Sequence, residues 1–427
     1  MKIAIASDIY YPMTNGVAVF SHNLALGLAK HGHEVMVIAP SFNGKYAIKY
    51  EKCGDGKHSV KTVHLTSAKF PFYPDQIHAV PEKKEFLGVA MPRLAYKHGI
   101  WWATRAPFEV KKVLDDFKPD VIHLQTAETI AIAVMYYVRK NNVPLVTTGH
   151  AYPDNVTGQF KFLKPVKKPV DAAVRAYMAS FLKHSEYATM PTEMAIGDLV
   201  PKNRKRFKVS VEALSNGVDL SAFKPGKPRM DILRKYNIDM KIPRVLYVGR
   251  VDPEKSIENV IEAFVLVEKK IPNVELMVVG DGTAKEGLEK LAKERNIEDK
   301  VRFLGRVMPP DLYEIYKTGT LFATASETET QGIVLIEAAA TGLPLVAVDA
   351  GAVKELCQNK KNGILCKPGK IRQMANAMVK ILSDVKLQKI YGEGSIEIAK
   401  KHDINRTLTR FEEIYQIAID ATTSKNA

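Results

Sequence analysis

Cysteine is scarce: 427 residues hold three, Cys53, Cys357 and Cys366. They form no spaced cluster, which excludes a disulfide framework and a cysteine-built zinc site, and fits a reducing cytosol. No apolar run reaches the roughly 18 residues that a membrane span needs. Met1 to Ala6 is one basic residue in a short apolar run, followed by Asp8 and Pro12. That pattern is a buried first strand, too short for a signal peptide. No Gly-x-Gly-x-x-Gly follows this strand, which argues against a dinucleotide oxidoreductase. Low-complexity segments and short-period repeats are absent from the sequence. Negative charge is also in short supply: 62 Lys and Arg stand against 47 Asp and Glu, a net +15. The surplus excludes an acidic solvating chain. It points to anionic partners: nucleic acid, phosphorylated substrates or a membrane surface.

With 46% apolar and 26% charged residues the composition is that of a globular protein able to bury a sizeable core. The length predicts about two or three domains. The charge is uneven, +11 over residues 1–215 and +4 over residues 216–427. The densest basic patches are Lys161, Lys164, Lys167 and Lys168, and then Lys202, Arg204, Lys205, Arg206 and Lys208.

Short apolar runs alternate with helical periodicity. Strands are expected at residues 2–7, 35–39, 121–124 and 145–148, and more weakly at 187–190 and 209–214. A helix is expected at 17–30, with Gly32 as its stop signal. The second half repeats the scheme. Strands are expected at 245–248, 275–279, 301–304, 320–323 and 344–348, and helices at 257–270, 284–296, 310–317 and 332–341. Helical segments run from Ile371 to Thr422. The expectation is an α/β protein of two doubly wound, Rossmann-like domains facing across a cleft. Residues 1–215 form the first and 216–395 the second. Helices from 396 to 427 cross back to the first.

In such sheets ligands bind in loops that follow strands, so the chemistry is sought there. Asn15-Gly16-Val17 lies between the first strand and its helix. Gly16 permits close backbone approach, and the helix start offers N–H groups to phosphate; a plain tight turn is the bland alternative. Gly149-His150 ends a strand, where the imidazole can bond a sugar hydroxyl, move a proton, or simply be a satisfied loop histidine. Gly249-Arg250 ends another, with Lys255 five residues on. A planar guanidinium and a point-charge ammonium together suit a diphosphate. The most specific segment is Ser326 to Ala338. It opens a helix near Gly332 and places Glu329 and Glu337 eight residues apart. Two carboxylates would repel a bare polyphosphate. They make sense as acceptors for hydroxyls of a ribose and a sugar, unless they are a solvated helix-start cluster favoured by the helix dipole.

These spaced motifs, with Gly280-Asp281-Gly282, resemble the retaining GT-B-fold glycosyltransferases of family four over nearly the whole chain. Glu329-Thr330-Gln331-Gly332 resembles the branch that glycosylates diacylglycerol and glycolipids, although that branch more commonly carries Phe where Gln331 stands. Thr148 to Asp154, followed by a basic and apolar stretch, is similar to the same branch.

The resemblance implies roles. Gly16 and Val17 approach the transferred sugar and phosphate. His150 contacts the sugar near the reacting centre. Gly249 and Arg250, with Lys255, bind the leaving diphosphate. Glu329 holds the donor sugar's hydroxyls. Gly332, Ile333 and Val334 offer backbone N–H groups, Glu337 holds the ribose, and Arg306-Val307 seats the base. It also implies front-face displacement without a protein nucleophile. The cations replace a metal, so neither a metal nor another cofactor is expected, only a nucleotide diphosphate sugar, UDP-hexose first, as donor.

Residues 160–184 carry a second expectation. Leu163, Val166, Val170, Val174, Tyr177 and Phe181 fall near helical spacing, while Lys161, Lys164, Lys167, Lys168 and Arg175 take another face. Pro165 and Pro169 confine regular helix to the later part. Such a segment suits an anionic membrane surface; a core-packed helix with solvated lysines is the alternative. No nucleic-acid-binding module is present. The expected function is hexosyl transfer, of glucose first, to a membrane lipid such as diacylglycerol, at the inner face of the cell membrane. The alternatives are a soluble or other lipid-linked acceptor (for example mannosyl transfer to phosphatidylinositol), a sugar-nucleotide epimerase, and a non-catalytic peripheral binding protein.

Overall fold

Strands form where the sequence is apolar on both faces, because both sheets are covered by helices on both sides. The computed structural model describes residues 1–69, 101–150, 167–200, 207 and 209–426, apart from 12 and 14, together with the backbone of four short strands between 76 and 98. The chain divides into two compact units, Met1–Asn216 with Asn405–Ala427, and Gly217–Ile404. It therefore begins and ends in the same unit. The lysines at 161, 164, 202, 205 and 208, with Arg204 and Arg206, lie outside the described residues.

In the first unit eight strands form one sheet, in the order Ser210–Ala213, Tyr187–Met190, Leu145–Thr148, Val121–Leu124, Lys2–Ala6, Glu34–Pro40, Ser59–Leu65 and Ala47–Lys52. Lys2–Ala6 is central and pairs in parallel with both neighbours, Ile3 opposite Val121 and Val35. Ile3, Ala4, Ile5 and Ala6 are fully buried. Each large aliphatic side chain so buried stabilises by roughly 1.5–3 kcal/mol before chain entropy is counted. The edge strand Ala47–Lys52 is the antiparallel exception, and its exposed Lys49, Glu51 and Lys52 blunt the edge against further pairing.

Gly16–Lys30 is a helix because Asn15, in an extended conformation, accepts a hydrogen bond from Ala18 N with its Oδ1 at 2.9 Å. It buries Phe20, Leu24 and Leu28. Helices at Ala106–Phe117 and Thr129–Asn141, absent from the sequence expectation, pack on the sheet through Val110, Leu114, Ile130 and Val134. The C-terminal helix Ile404–Asn426 contributes Phe411, Ile414 and Tyr415 to the buried interior.

The second unit is a six-stranded parallel sheet, in the order Val301–Gly305, Glu275–Val279, Arg244–Val248, Leu321–Ala323, Leu345–Val348 and Gly363–Cys366. The strand order reverses between Arg244–Val248 and Leu321–Ala323. That is the switch point at which doubly wound sheets bind ligands. The far end of the sheet is locked by a buried ion pair with a half-buried third member. Arg244, fully buried, donates to Glu275 Oε2 at 2.8 Å, and Arg302 donates to Glu275 Oε1 at 3.1 Å. Both units are thus Rossmann-like, as the sequence led us to expect.

Candidate functional site

In the second unit the loops after the two switch-point strands meet. Val248 leads into Gly249 (φ 152°), Arg250 and the turn Pro253–Lys255. Ala323 leads into residues 324–332, which carry Glu329. Lys255 Nζ donates to Glu329 Oε1 at 2.6 Å, with 14% and 15% of the side chains exposed. Burial acts to raise the Glu329 pKa, but the Lys255 ammonium above all, then the Ser326 hydroxyl and Arg250, overcome it, and the net shift is downward. A fixed carboxylate and a fixed ammonium therefore stand side by side at the strand ends.

Arg250 is held by carboxylates. Its guanidinium donates to Asp252 Oδ2 at 2.6 Å and to Glu254 Oε1. The Glu254 pair is about one-third exposed on both sides, with 31% and 35% of the side chains accessible. Such a pair contributes about 1 kcal/mol or less, so a doubly charged phosphate can displace it. Asp252 is the anchor that sequence reasoning missed. Its other oxygen accepts from the amide and hydroxyl of Thr283 at 3.0 and 3.1 Å. The Gly280-Asp281-Gly282 motif finds its reason here: a Cβ on Gly280 would fall 1.8 Å from Gly249 O, and one on Gly282 2.3 Å from Val251 O. Glycine lets this loop lie against the loop of Arg250 and fasten it.

Gly332 caps the helix Ile333–Ala340 in the left-handed region, φ 80°, and a Cβ there would sit 2.6 Å from Leu335 Cδ1. The first intrahelical hydrogen bonds are made by the amides of Leu335 and Ile336, both to Gly332 O, so those of Ile333 and Val334 precede the ladder. Glu337 lies one turn on. Burial pushes its pKa up to about 7, and the Tyr316 hydroxyl, donating to Glu337 Oε2 at 2.6 Å, works the other way. Tyr316, fully buried, is a second residue invisible to the sequence motifs. The side chain of Val307 is in the core, so only its backbone could face a base, and Arg306 Nε points to Met308 Sδ at 3.2 Å.

In the first unit the order reverses between Lys2–Ala6 and Val121–Leu124. Gly16 and Val17 stand at the start of their helix, as expected. Asp8, which sequence reasoning passed over, ties together the loops on either side. Its carboxyl accepts from Thr126 Oγ1 (3.1 Å), Thr129 Oγ1 (2.9 Å) and Ile130 N (3.0 Å). Burial raises its pKa, and burial together with the nearby Asp8 raises that of Glu128. His150, 9% exposed, shares a 2.7 Å hydrogen bond between its Nε2 and Gln125 Oε1, and Phe20 packs against its ring. Burial lowers its pKa to about 3, so the imidazole is neutral throughout the physiological range.

The basic segment is a helix from Lys167 to Lys183. Pro169 lies in its first turn rather than ending it, since a first-turn residue needs no N–H donor. Lys167 pairs with Asp171 at 2.8 Å and Arg175 with Asp198 at 3.3 Å, while Lys168 is exposed. Val170 and Val174 are half-buried, Phe181 is buried, and the Tyr177 hydroxyl donates to Ala127 O at 2.7 Å. Of the predicted apolar stripe, Leu163 and Val166 lie outside the described residues, Val170, Val174 and Phe181 turn toward protein, and the Tyr177 ring is exposed. Larger exposed apolar side chains lie on two other helices, Phe108 on one and Ile132 and Tyr136 on the next, each with cations a turn away at Lys112 and Lys140. Among the described residues no helix is long and apolar enough to cross a membrane.

Comparison with known proteins agrees with the two-unit fold. The profile of the group 1 glycosyl transferases matches residues 228–397, and that of glycosyltransferase family 4 matches residues 14–222. A sulfoquinovosyl transferase of Arabidopsis thaliana is 29% identical over 71% of this chain and 58% of its own length. An alpha-monoglucosyldiacylglycerol synthase of Streptococcus pneumoniae is 25% identical over 86% of this chain and 75% of its own. A glycogen synthase of Mycobacterium tuberculosis is 26% identical over 90% and 86%. Among solved structures, a sucrose-phosphate synthase of Thermosynechococcus elongatus superposes with a TM-score of 0.75 at 19% identity, covering 98% of this chain and 99% of its own. With both family profiles falling on the two Rossmann-like units, the chain belongs to the group 1, family 4 glycosyltransferases of the GT-B fold.

Proposed function

We propose that this glycosyltransferase moves a hexose, glucose first, from UDP to a hydroxyl of a membrane lipid such as diacylglycerol, with retention at the anomeric carbon. The observation that carries the reading is the Lys255–Glu329 pair at the switch point, one loop from the helix start at Gly332. An ammonium, a hydroxyl-accepting carboxylate and helix-start amides in one place are the complement of a sugar diphosphate.

In the proposed step the acceptor oxygen bonds to the anomeric carbon as the bond from that carbon to the diphosphate oxygen breaks on the same face. The acceptor proton passes to the departing phosphate oxygen. Lys255 and Arg250 take up the charge that develops on the diphosphate, and Glu329 holds the sugar by its hydroxyls. Neutral His150 accepts or donates a hydrogen bond to the sugar and carries no charge. A lipid acceptor is supported by the diacylglycerol-glucosylating relative, by the +11 of residues 1–215, and by exposed Phe108, Ile132 and Tyr136 beside cations. These groups would hold the protein reversibly on an anionic membrane. The second reading, a soluble or polymeric acceptor, is favoured by the glycogen synthase relative.

The test is a screen of radiolabelled sugar nucleotides against total lipid extract with products resolved, run beside sedimentation with phosphatidylglycerol vesicles at low salt. A labelled lipid and co-sedimentation are expected. Label appearing only in water-soluble product, with no vesicle binding, overturns the lipid acceptor. Binding of sugar nucleotides without turnover of any overturns the enzyme reading.

A further inference from the structure

The contact between Gln125 and His150 is closer than packing requires, and it is costly in one respect. Gln125 follows the strand Val121–Leu124 and is 1% exposed. Its Oε1 is 2.7 Å from His150 Nε2, while its Nε2 is buried with no partner among the described residues. A buried amide nitrogen left unpaired destabilises, and methionine would fill the same space without that loss. What the amide supplies that methionine would not is a carbonyl acceptor aimed at the ring.

We propose that Gln125 is the positioning residue of His150, taking the proton on Nε2, fixing the neutral Nε2–H tautomer, and leaving Nδ1 as a lone-pair acceptor for a hydroxyl of the bound hexose. The inference rests on the reading that His150 touches the sugar. A neutral imidazole carries one proton, and the nitrogen that donates decides which nitrogen accepts. Gln125 Oε1 can only accept, so Nε2 donates. Among the described residues Nδ1 has no hydrogen-bond partner. Phe20, with its ring centroid 5.2 Å from that of His150, holds the imidazole from the side. His150 then acts as a reader of a hydroxyl proton and not as an acid. This selects sugars that present a hydroxyl as donor at that point, and it would disfavour deoxy analogues.

The experiment is nitrogen NMR on the full chain labelled with 15N-histidine, with His150 assigned by loss of its signals in His150→Asn. The expected spectrum shows protonated Nε2 and unprotonated Nδ1, unchanged from pH 6 to pH 8. In Gln125→Met the two tautomers should mix. The kcat for hexosyl transfer should fall about tenfold, inhibition by the free nucleotide should stay within about twofold, and Tm should hold or rise. A wild-type His150 protonated on Nδ1 overturns the proposal. So does a Gln125→Met protein that loses Tm while keeping its tautomer and kcat, for that is a structural residue only. Failure of the functional reading looks different: no sugar nucleotide is turned over by the wild type, whatever the tautomer.

Discussion

Replacing Lys255 by methionine separates a donor site from a structural brace. The ammonium lies 2.6 Å from Glu329 in a pair that is mostly buried. Removing one member of a buried pair costs about 3–5 kcal/mol; the residual exposure here lowers that to about 2 kcal/mol. In a unit of this size that is a Tm lower by about 4–8 °C. The effect on catalysis is separate. At about 4 Å and an effective dielectric constant of about 20, a unit charge on the diphosphate gains about 4 kcal/mol from the ammonium. Loss of one such group lowers kcat/KM by roughly a hundredfold to a thousandfold.

The pH dependence gives a sign to check. In the wild type the Glu329 pKa is depressed, so its contribution is present above the ordinary glutamate range and is lost as pH falls through its folded value. Without Lys255, burial is opposed only weakly and the folded pKa rises above the ordinary one. The variant then loses stability as pH rises toward neutrality, and the Tm gap widens from pH 4 to pH 7. The assay is calorimetry across that range beside kcat/KM and inhibition by free UDP, repeated in Glu329→Gln and in the double variant. If Glu329 only holds Lys255, the double variant is no slower than Lys255→Met. If it also binds the sugar, the losses compound. A Tm loss with kcat/KM reduced less than tenfold and UDP inhibition unchanged would refute the diphosphate role.

Glu337, with its pKa pushed up to about 7, should make wild-type stability decline between about pH 5 and pH 7, where the unfolded chain has ionised this carboxyl and the folded one still holds its proton, and Glu337→Gln should remove that decline while raising donor KM; a parallel pair of Tm–pH curves would rule this out. Gly332→Ala has to hold φ 80° and place a methyl against Leu335, so we expect a loss of about 1–3 kcal/mol and a weaker donor KM, read by denaturation and kinetics, with an unchanged midpoint counting against the assigned helix start.

The parallel strands were legible because they are buried on both faces. Glu275–Val279 and Leu145–Thr148 have the bounds their short apolar runs led us to expect, and every residue in them is buried. The edge strand Ala47–Lys52 was not, because its Ile48 and Tyr50 alternate with charged residues and form no continuous apolar run. Gly363–Cys366 escaped because Ile364 and Leu365 are its only aliphatic residues, a run too short to mark a strand. In the candidate site, Lys255, Arg250, Glu329 and Gly332 were found from their places after strands. Their supports were not. Asp252 works through Thr283, Tyr316 through Glu337 and Gln125 through His150, across 31, 21 and 25 residues. No local pattern encodes a contact of that span. The basic helix misled in the other direction: its spacing was right, but spacing cannot reveal that Asp171 and Asp198 already occupy two of its cations.

That the chain begins and ends in one unit has a consequence for synthesis. On the ribosome, residues 217–404 are complete while the first unit still lacks its last helix. Their entry and exit are stapled, Val218 N to His402 O at 2.8 Å and Ile404 N to Val218 O at 3.0 Å, so this unit can close before the C-terminal helix is made. The first 216 residues must wait, with the places of Phe411 and Tyr415 beside Phe20 and His123 still empty. A premature stop near residue 404 would therefore injure the unit built on residues 1–216 and spare residues 217–404.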